Sequence, residues 1–152
     1  MTQVCDTITI LMAEDDMDDR LLFKEAFNES WAEVALEFVD DGVELMQRLE
    51  DLFADRPRRL PDLLLLDLNM PRMDGREALQ AIREHSGLKH LPVIIFTTSR
   101  AELDVLISYQ LGANSYVTKP NRYDELVQLL RSMELYWTET VELPSDRHGD
   151  VE

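Results

Sequence analysis

The chain has 152 residues, 45% of them hydrophobic and 30% charged, with a formal net charge of −16. That length suits one domain with a single core, and the acidity speaks against nucleic acid, whose phosphates it repels. One cysteine, Cys5, leaves no internal disulfide, and no apolar run approaches the roughly 20 residues of a membrane helix.

No basic segment leads into a long apolar one at the N-terminus, so no secretory signal is expected. The location expected is cytoplasmic, with no membrane partner. The short basic piece Arg56, Arg58 and Arg59 reads as a solvated loop.

The first apolar run, TITILMA from Thr7 to Ala13, is short and β-branched at its start and predicts a buried strand. DDMDDRLLFKEAFNES follows with Leu21, Leu22, Ala26 and Phe27 at helical spacing, and Asp18 or Asp19 suits its first turn. Trp31 is expected to pack between that helix and the next strand. EVALEFVD alternates through Val34, Leu36 and Phe38, which predicts a strand with one covered face, near an edge. DGVELMQRLEDLF returns to helical spacing through Val43, Met46, Leu49 and Leu52. Beyond Pro57 and Pro61, DLLLLDL is apolar throughout, as a strand in the middle of a parallel sheet is.

DGREALQAIREH predicts the third helix. VIIFTTS is another buried strand, and AELDVLISYQLGA a fourth helix with Gly112 at its C-terminal end. SYVTK is a short fifth strand. NRYDELVQLLRSMELYW is a long fifth helix with a stripe at Leu126, Leu129, Leu130, Met133, Tyr136 and Trp137. Five strand–helix repeats predict an α/β domain with a doubly wound, parallel five-stranded sheet, helices on both faces and right-handed crossovers. The domain is expected to span residues 5–138, with 139–152 as a polar C-terminal arm.

Ligands of open α/β sheets bind beyond the carboxyl ends of the strands. What stands there is informative: Glu14, Asp15 and Asp16 after the first strand, Asp67 and Asn69 after the third, Thr97, Thr98 and Ser99 after the fourth, Lys119 and Pro120 after the fifth. A carboxylate at the end of four leucines has a large desolvation penalty unless something compensates it. Clustered acids repel one another, and a hard divalent cation relieves that repulsion. Carboxylates, a backbone carbonyl and waters suit Mg²⁺ (or Mn²⁺). With an amine and a hydroxyl added, the rim can hold a transferring phosphoryl group while Asp67 attacks in line.

Each piece is weak alone, and Thr97 could simply cap the fourth helix. Together, EDD, LLLLDLNMPRMDG, VIIFTTS and GANSYVTKP resemble the receiver domain of two-component response regulators, the CheY-like family, over about residues 7–138. The resemblance implies Asp67 as phospho-acceptor and Asp15 as a direct metal ligand, with Glu14 helping through water and the backbone carbonyl of Asn69 completing the protein ligands. Asp16 is the less favoured ligand. It implies that Thr97 and Lys119 hold the phosphoryl group, that the Lys119–Pro120 bond is cis, and that Tyr116 moves with Thr97 on activation. Met17 stands where receivers often have Pro, and Thr98 where they often have Ala; Thr98 is expected to narrow access to the phosphoryl group.

FTTSR, ANSYVTKP and MELYWTETVELP are further similar to the stand-alone regulators partnered with bacterial phytochromes. The partner implied is a sensor histidine kinase, of bacteriophytochrome type. Tyr136, Trp137, Val141, Leu143 and Pro144 form an apolar group that predicts a homodimer through the last helix and arm; the alternative is an arm folded back on its own domain. About 14 residues follow the last helix, so the expected output is binding to another protein, or relay or storage of phosphate.

Other readings are weaker. A phosphatase with a strand-end aspartate would want a second Asp where Asn69 stands. A flavodoxin-like site would want a Ser/Thr/Gly phosphate loop where the first loop is acidic. His85, His90 and His148 read as lone surface histidines, and Cys5 as a bystander. A phosphate-independent dimeric interaction module, a degenerate receiver, is the remaining alternative, against which the intact set of rim residues stands.

Overall fold

The computed structural model describes residues 7–55 and 60–144. Cys5, Arg56, Arg58, Arg59, His148 and the arm beyond residue 144 lie outside the described residues. The elements alternate as β1 Ile8–Ala13, α1 Met17–Ser30, β2 Val34–Val39, α2 Gly42–Asp55, β3 Leu63–Leu66, α3 Gly75–Glu84, β4 Val93–Thr97, α4 Glu102–Gln110, β5 Ser115–Thr118 and α5 Tyr123–Leu135, followed by a single π-helical turn, Tyr136–Thr140. The sheet is parallel in the order β2-β1-β3-β4-β5. None of the described helices is long and apolar enough to cross a membrane.

The hydrophobic patterns explain the layers. β3 is leucine at every position and lies in the middle of the sheet, buried on both faces. Each such side chain contributes about 1.5–3 kcal/mol by leaving water. β2 alternates and is an edge strand, as its half-covered pattern requires. One core layer joins the sheet to α2 and α3 through Leu45, Leu49, Ala78, Leu79 and Ile82. The other joins it to α1 and α5 through Phe23, Phe27, Leu126, Leu130 and Met133.

Local chemistry sets the helix ends. Asp16 caps α1 by accepting from the amides of Asp18 and Asp19. Asp74 and Glu77 form a reciprocal capping box on α3. Gly112, just past α4, has φ +107, a region that favours glycine.

One expectation needs correction. The Lys119–Pro120 peptide is trans, as no described peptide bond is cis; Lys119 reaches both carboxylates of the site from that geometry. Trp31 lies in the core layer against which Val34, Leu36 and Phe38 of β2 pack, and its ring nitrogen also donates to the Leu130 carbonyl at 2.9 Å, so it ties α1 to α5 as well. The last helix is extended as expected: α5 runs to Leu135 and continues without a break as the π turn that carries Tyr136 and Trp137.

Candidate functional site at the carboxyl end of the sheet

Four strand ends build the site. The amide of Glu14 donates to the Val39 carbonyl at 3.0 Å, which extends β1 by one residue and buries the Glu14 side chain. Asp67 follows β3 directly and is buried. Thr97 ends β4 and is fully buried. Lys119 follows β5, and its amide donates to the Thr97 carbonyl at 2.7 Å. The Lys119 ammonium bridges the acids, donating to Glu14 Oε1 at 2.7 Å and Asp67 Oδ2 at 3.0 Å. Its stem passes the rings of Phe23 and Phe96, with the ammonium 5.3 and 5.9 Å from their centroids. The partners of the Asp67 carboxylate are therefore an amine and, on Oδ1, the amide of Asn69 at 3.1 Å.

The charges do not cancel. Burial pushes the Glu14 carboxyl up, and Asp67 adds to the rise, against the lowering effect of Lys119. Burial alone would lower Lys119, but Asp67 and Glu14 outweigh it and hold the ammonium above its ordinary value. Asp15 and Asn69 are exposed beside this buried pair, at the open rim. Glu14 and Asp67 share one ammonium, and this surplus of carboxylate over amine, with oxygen donors throughout, is the donor chemistry that a hard divalent cation takes, although no three acidic side chains are grouped as a ligand set among the described residues. Because Lys119 takes Oε1 of Glu14 and the Asp16 amide donates to Oε2 at 3.1 Å, Glu14 is committed to protein partners.

The loop that carries Asn69 is pinned from below. Arg72 sits at φ 66, strained for a non-glycine residue, and donates through Nε to buried Asp41 at 2.8 Å. Burial would raise the Asp41 carboxyl, but Arg72 and the amides at the start of α2 hold it below the usual range. The Gly42 amide donates to the Met73 carbonyl at 3.1 Å, and a Cβ at Gly42 would meet that oxygen at 2.4 Å. At Gly75 a Cβ would meet the Asp67 carbonyl at 2.3 Å, so α3 begins hard against the backbone of Asp67.

Thr97 does not cap α4; Ala101 holds the N-cap position, without a side-chain bond. The Thr97 hydroxyl oxygen accepts from the Ser99 amide at 3.4 Å. Tyr116 is half-buried and its hydroxyl donates to the Ser99 carbonyl at 3.0 Å.

The matched family model is that of the response regulator receiver domain, over residues 10–131. The chain belongs to this family. Across 138 residues this receiver is 39% identical to Response regulator Rcp1 of Synechocystis sp., covering 90% of the chain and 92% of the relative. It superimposes with a TM-score of 0.83 on response regulator RPA3017 in red light signaling of R. palustris, at 36% identity, covering 90% of this chain and 98% of that one. The phosphorylated cyanobacterial phytochrome response regulator RcpA matches with the same TM-score at 37% identity, over 92% and 100%. As a receiver, the protein is a two-component signalling protein rather than a member of an enzyme family, and its partner is a histidine kinase. Receiver domains bind Mg²⁺ or Mn²⁺, and a similar solved structure is the Mn²⁺-bound form of Rcp1.

The receiver's rim brings Glu14 and Asp67 together on the Lys119 ammonium, and Thr97 adjoins Lys119 through the backbone. The predicted dimer group divides. Tyr136 is exposed and meets Trp137 edge-on, centroids 5.1 Å apart. Trp137 and Leu143 pack on the chain's own core, and Pro144 lies beside Leu60, Pro61 and Leu91. Sequence reasoning missed Phe23 and Phe96 under Lys119, and the Arg72–Asp41 pin. The strand-end position of Phe96 was a signal for the first; nothing local marks the second.

Proposed function

We propose that Asp67 is the phosphoryl acceptor of this receiver, loaded from a histidine of the sensor kinase in a Mg²⁺-dependent reaction. The observation that carries this reading is the Lys119 ammonium held between Glu14 and Asp67 beside buried Thr97. Asp67 forms a P–O bond as the P–N bond to the kinase histidine breaks, and the electron pair leaves with the imidazole. Lys119 neutralises one phosphoryl oxygen and the Thr97 hydroxyl donates to another. Asp15, Asp67 and the Asn69 carbonyl would hold the cation, with Glu14 helping through water, and a bound cation would supply positive charge for the phosphoryl oxygens. As Thr97 moves, Tyr116 repacks, and the population shifts between two states with different partner affinity.

The receiver unit is assigned to residues 5–138 and the arm to 139–152, in a cytoplasmic protein. Similarity to red-light and phytochrome regulators supports a bacteriophytochrome as the kinase. Exposed Leu135 and Tyr136 support a homodimer whose interface also takes the outer faces of Trp137, Val141, Leu143 and Pro144.

The test is intact-mass analysis after incubation with acetyl phosphate and Mg²⁺. One hydroxylamine-labile phosphoryl group is expected, absent in Asp67→Asn and in EDTA. No adduct, under conditions that label another receiver, would overturn the reading in favour of a phosphate-independent interaction module.

A further inference from the structure

Thr97 ends β4 and leads directly into the loop between β4 and α4, so the proposed movement of Thr97 would act on that loop first. Apolar packing does not hold this loop: Thr98, Arg100 and Ala101 are all exposed. Polar ties hold it instead. The Ser99 hydroxyl donates to Asp104 Oδ2 at 2.6 Å and accepts from the Ala101 amide at 3.3 Å. Asp104 stands in the first turn of α4, and its other oxygen accepts from Arg76 Nη2, on α3. Arg76 therefore reaches from the helix that begins against Asp67 to the first turn of α4, where Asp104 in turn holds Ser99 of the loop. Its Nη1 also lies 3.8 Å from Asp74, a second carboxylate to which it can turn. Both side chains of the Arg76–Asp104 pair are about three-quarters covered, and the Ser99 and Arg76 bonds hold the Asp104 carboxyl below its ordinary range.

We propose that Arg76 is a positioning residue for phosphoryl transfer: acting through Asp104 and Ser99, it clasps the β4–α4 loop in the resting position and so restrains closure of the Thr97 hydroxyl on Asp67. The inference rests on Asp67 being the acceptor. A charged hydrogen bond from Arg76 fixes the rotamer of Asp104, and the fixed carboxylate fixes Ser99. Releasing the clasp lowers the free energy needed to reach the loaded conformation, so loading from a small donor becomes faster.

The experiment measures the initial rate at which acetyl phosphate labels Asp67 in saturating Mg²⁺, with acetate as leaving group. The proteins are wild type, Arg76→Ala, Ser99→Ala, the double variant and Arg76→Lys, each with its thermal midpoint. Arg76→Ala and Ser99→Ala are expected to label about three- to fivefold faster, the range a partly exposed pair can supply. The double variant should be no faster than the singles, since both break one chain of contacts. Arg76→Lys, which keeps the charge within reach of Asp104, should return toward the wild-type rate. Single variants that label at the wild-type rate, or additive effects in the double variant, would overturn the clasp while leaving the acceptor intact. A wild type that takes no label overturns the acceptor reading itself. Midpoints that fall without any change in rate would make Arg76 a structural residue only.

Discussion

Lys119 lies closer to Glu14, at 2.7 Å, than to Asp67, at 3.0 Å, although Asp67 is the group it is expected to serve. The ammonium is shared between two buried acids, and burial keeps the Glu14 carboxyl raised. Two carboxylates facing one ammonium leave an excess of negative charge when both are ionised. Divalent cation should stabilise the fold by mass action, by about 2.7 kcal/mol at a hundred times its dissociation constant. Thermal melts with increasing MgCl₂ check this; a midpoint that stays at the EDTA value would count against a cation site.

The same raised carboxyl sets a pH dependence. Glu14 is held above 4.5 in the folded state, so the folded form binds its proton more tightly than the unfolded form. That contribution is complete below pH 4.5 and is lost as pH rises through the folded value. In metal-free protein, lowering the pH from 7 towards 4.5 should bring wild type a stabilisation that Glu14→Gln lacks. Melts of both proteins in EDTA, at pH 7 and pH 5, should show the difference; parallel changes would refute it.

Gly75 joins stability to chemistry. An alanine there puts a methyl carbon 2.3 Å from the Asp67 carbonyl oxygen, so α3 or the end of β3 must shift. Gly75→Ala should be destabilising by about 1–3 kcal/mol and should also slow labelling of Asp67, by about tenfold or more. Urea unfolding and acetyl phosphate labelling report the two effects. Normal labelling in a destabilised protein would mean that the displacement is absorbed away from Asp67.

Arg83 makes the opposite case. Its guanidinium donates to the carbonyls of Gly112, Lys89 and Leu91 and to Asn114 Oδ1, at 2.8–3.0 Å, and so joins α3 to the loops before β4 and β5. These loops lie at the amino ends of the strands, away from Asp67. Arg83→Ala should cost about 2–3 kcal/mol of stability with the labelling rate unchanged below the melting transition. A slowed rate at full folding would show that the lower loops reach the site.

The dimer can be tested by charge. Leu135 is 56% exposed and Tyr136 47%, so glutamate at both positions should leave the fold intact. Sedimentation equilibrium should find wild type dimeric and Leu135→Glu/Tyr136→Glu monomeric, with acetyl phosphate labelling retained. A wild-type monomer at all concentrations would place the arm on its own domain alone.

The order of elements and the rim of the site were legible in the chain because both are local. Four consecutive leucines predict a strand covered on both faces, and the residue after them falls at a strand end whatever its partners are. Asp67, Thr97 and Lys119 were found this way, as were the capping glycine at 112 and the acids that begin α1. What only the tertiary structure decided is which groups meet across distance. Lys119 chooses Glu14 across 105 residues, Trp31 gives its ring nitrogen to Leu130, and Arg76 reaches Asp104 on the next helix. Side-chain periodicity states which face of an element is apolar, but a long polar side chain can reach any acceptor that folding brings within a few ångströms. Those partners are selected by how the layers pack, and the packing is a property of the whole sheet and its helices.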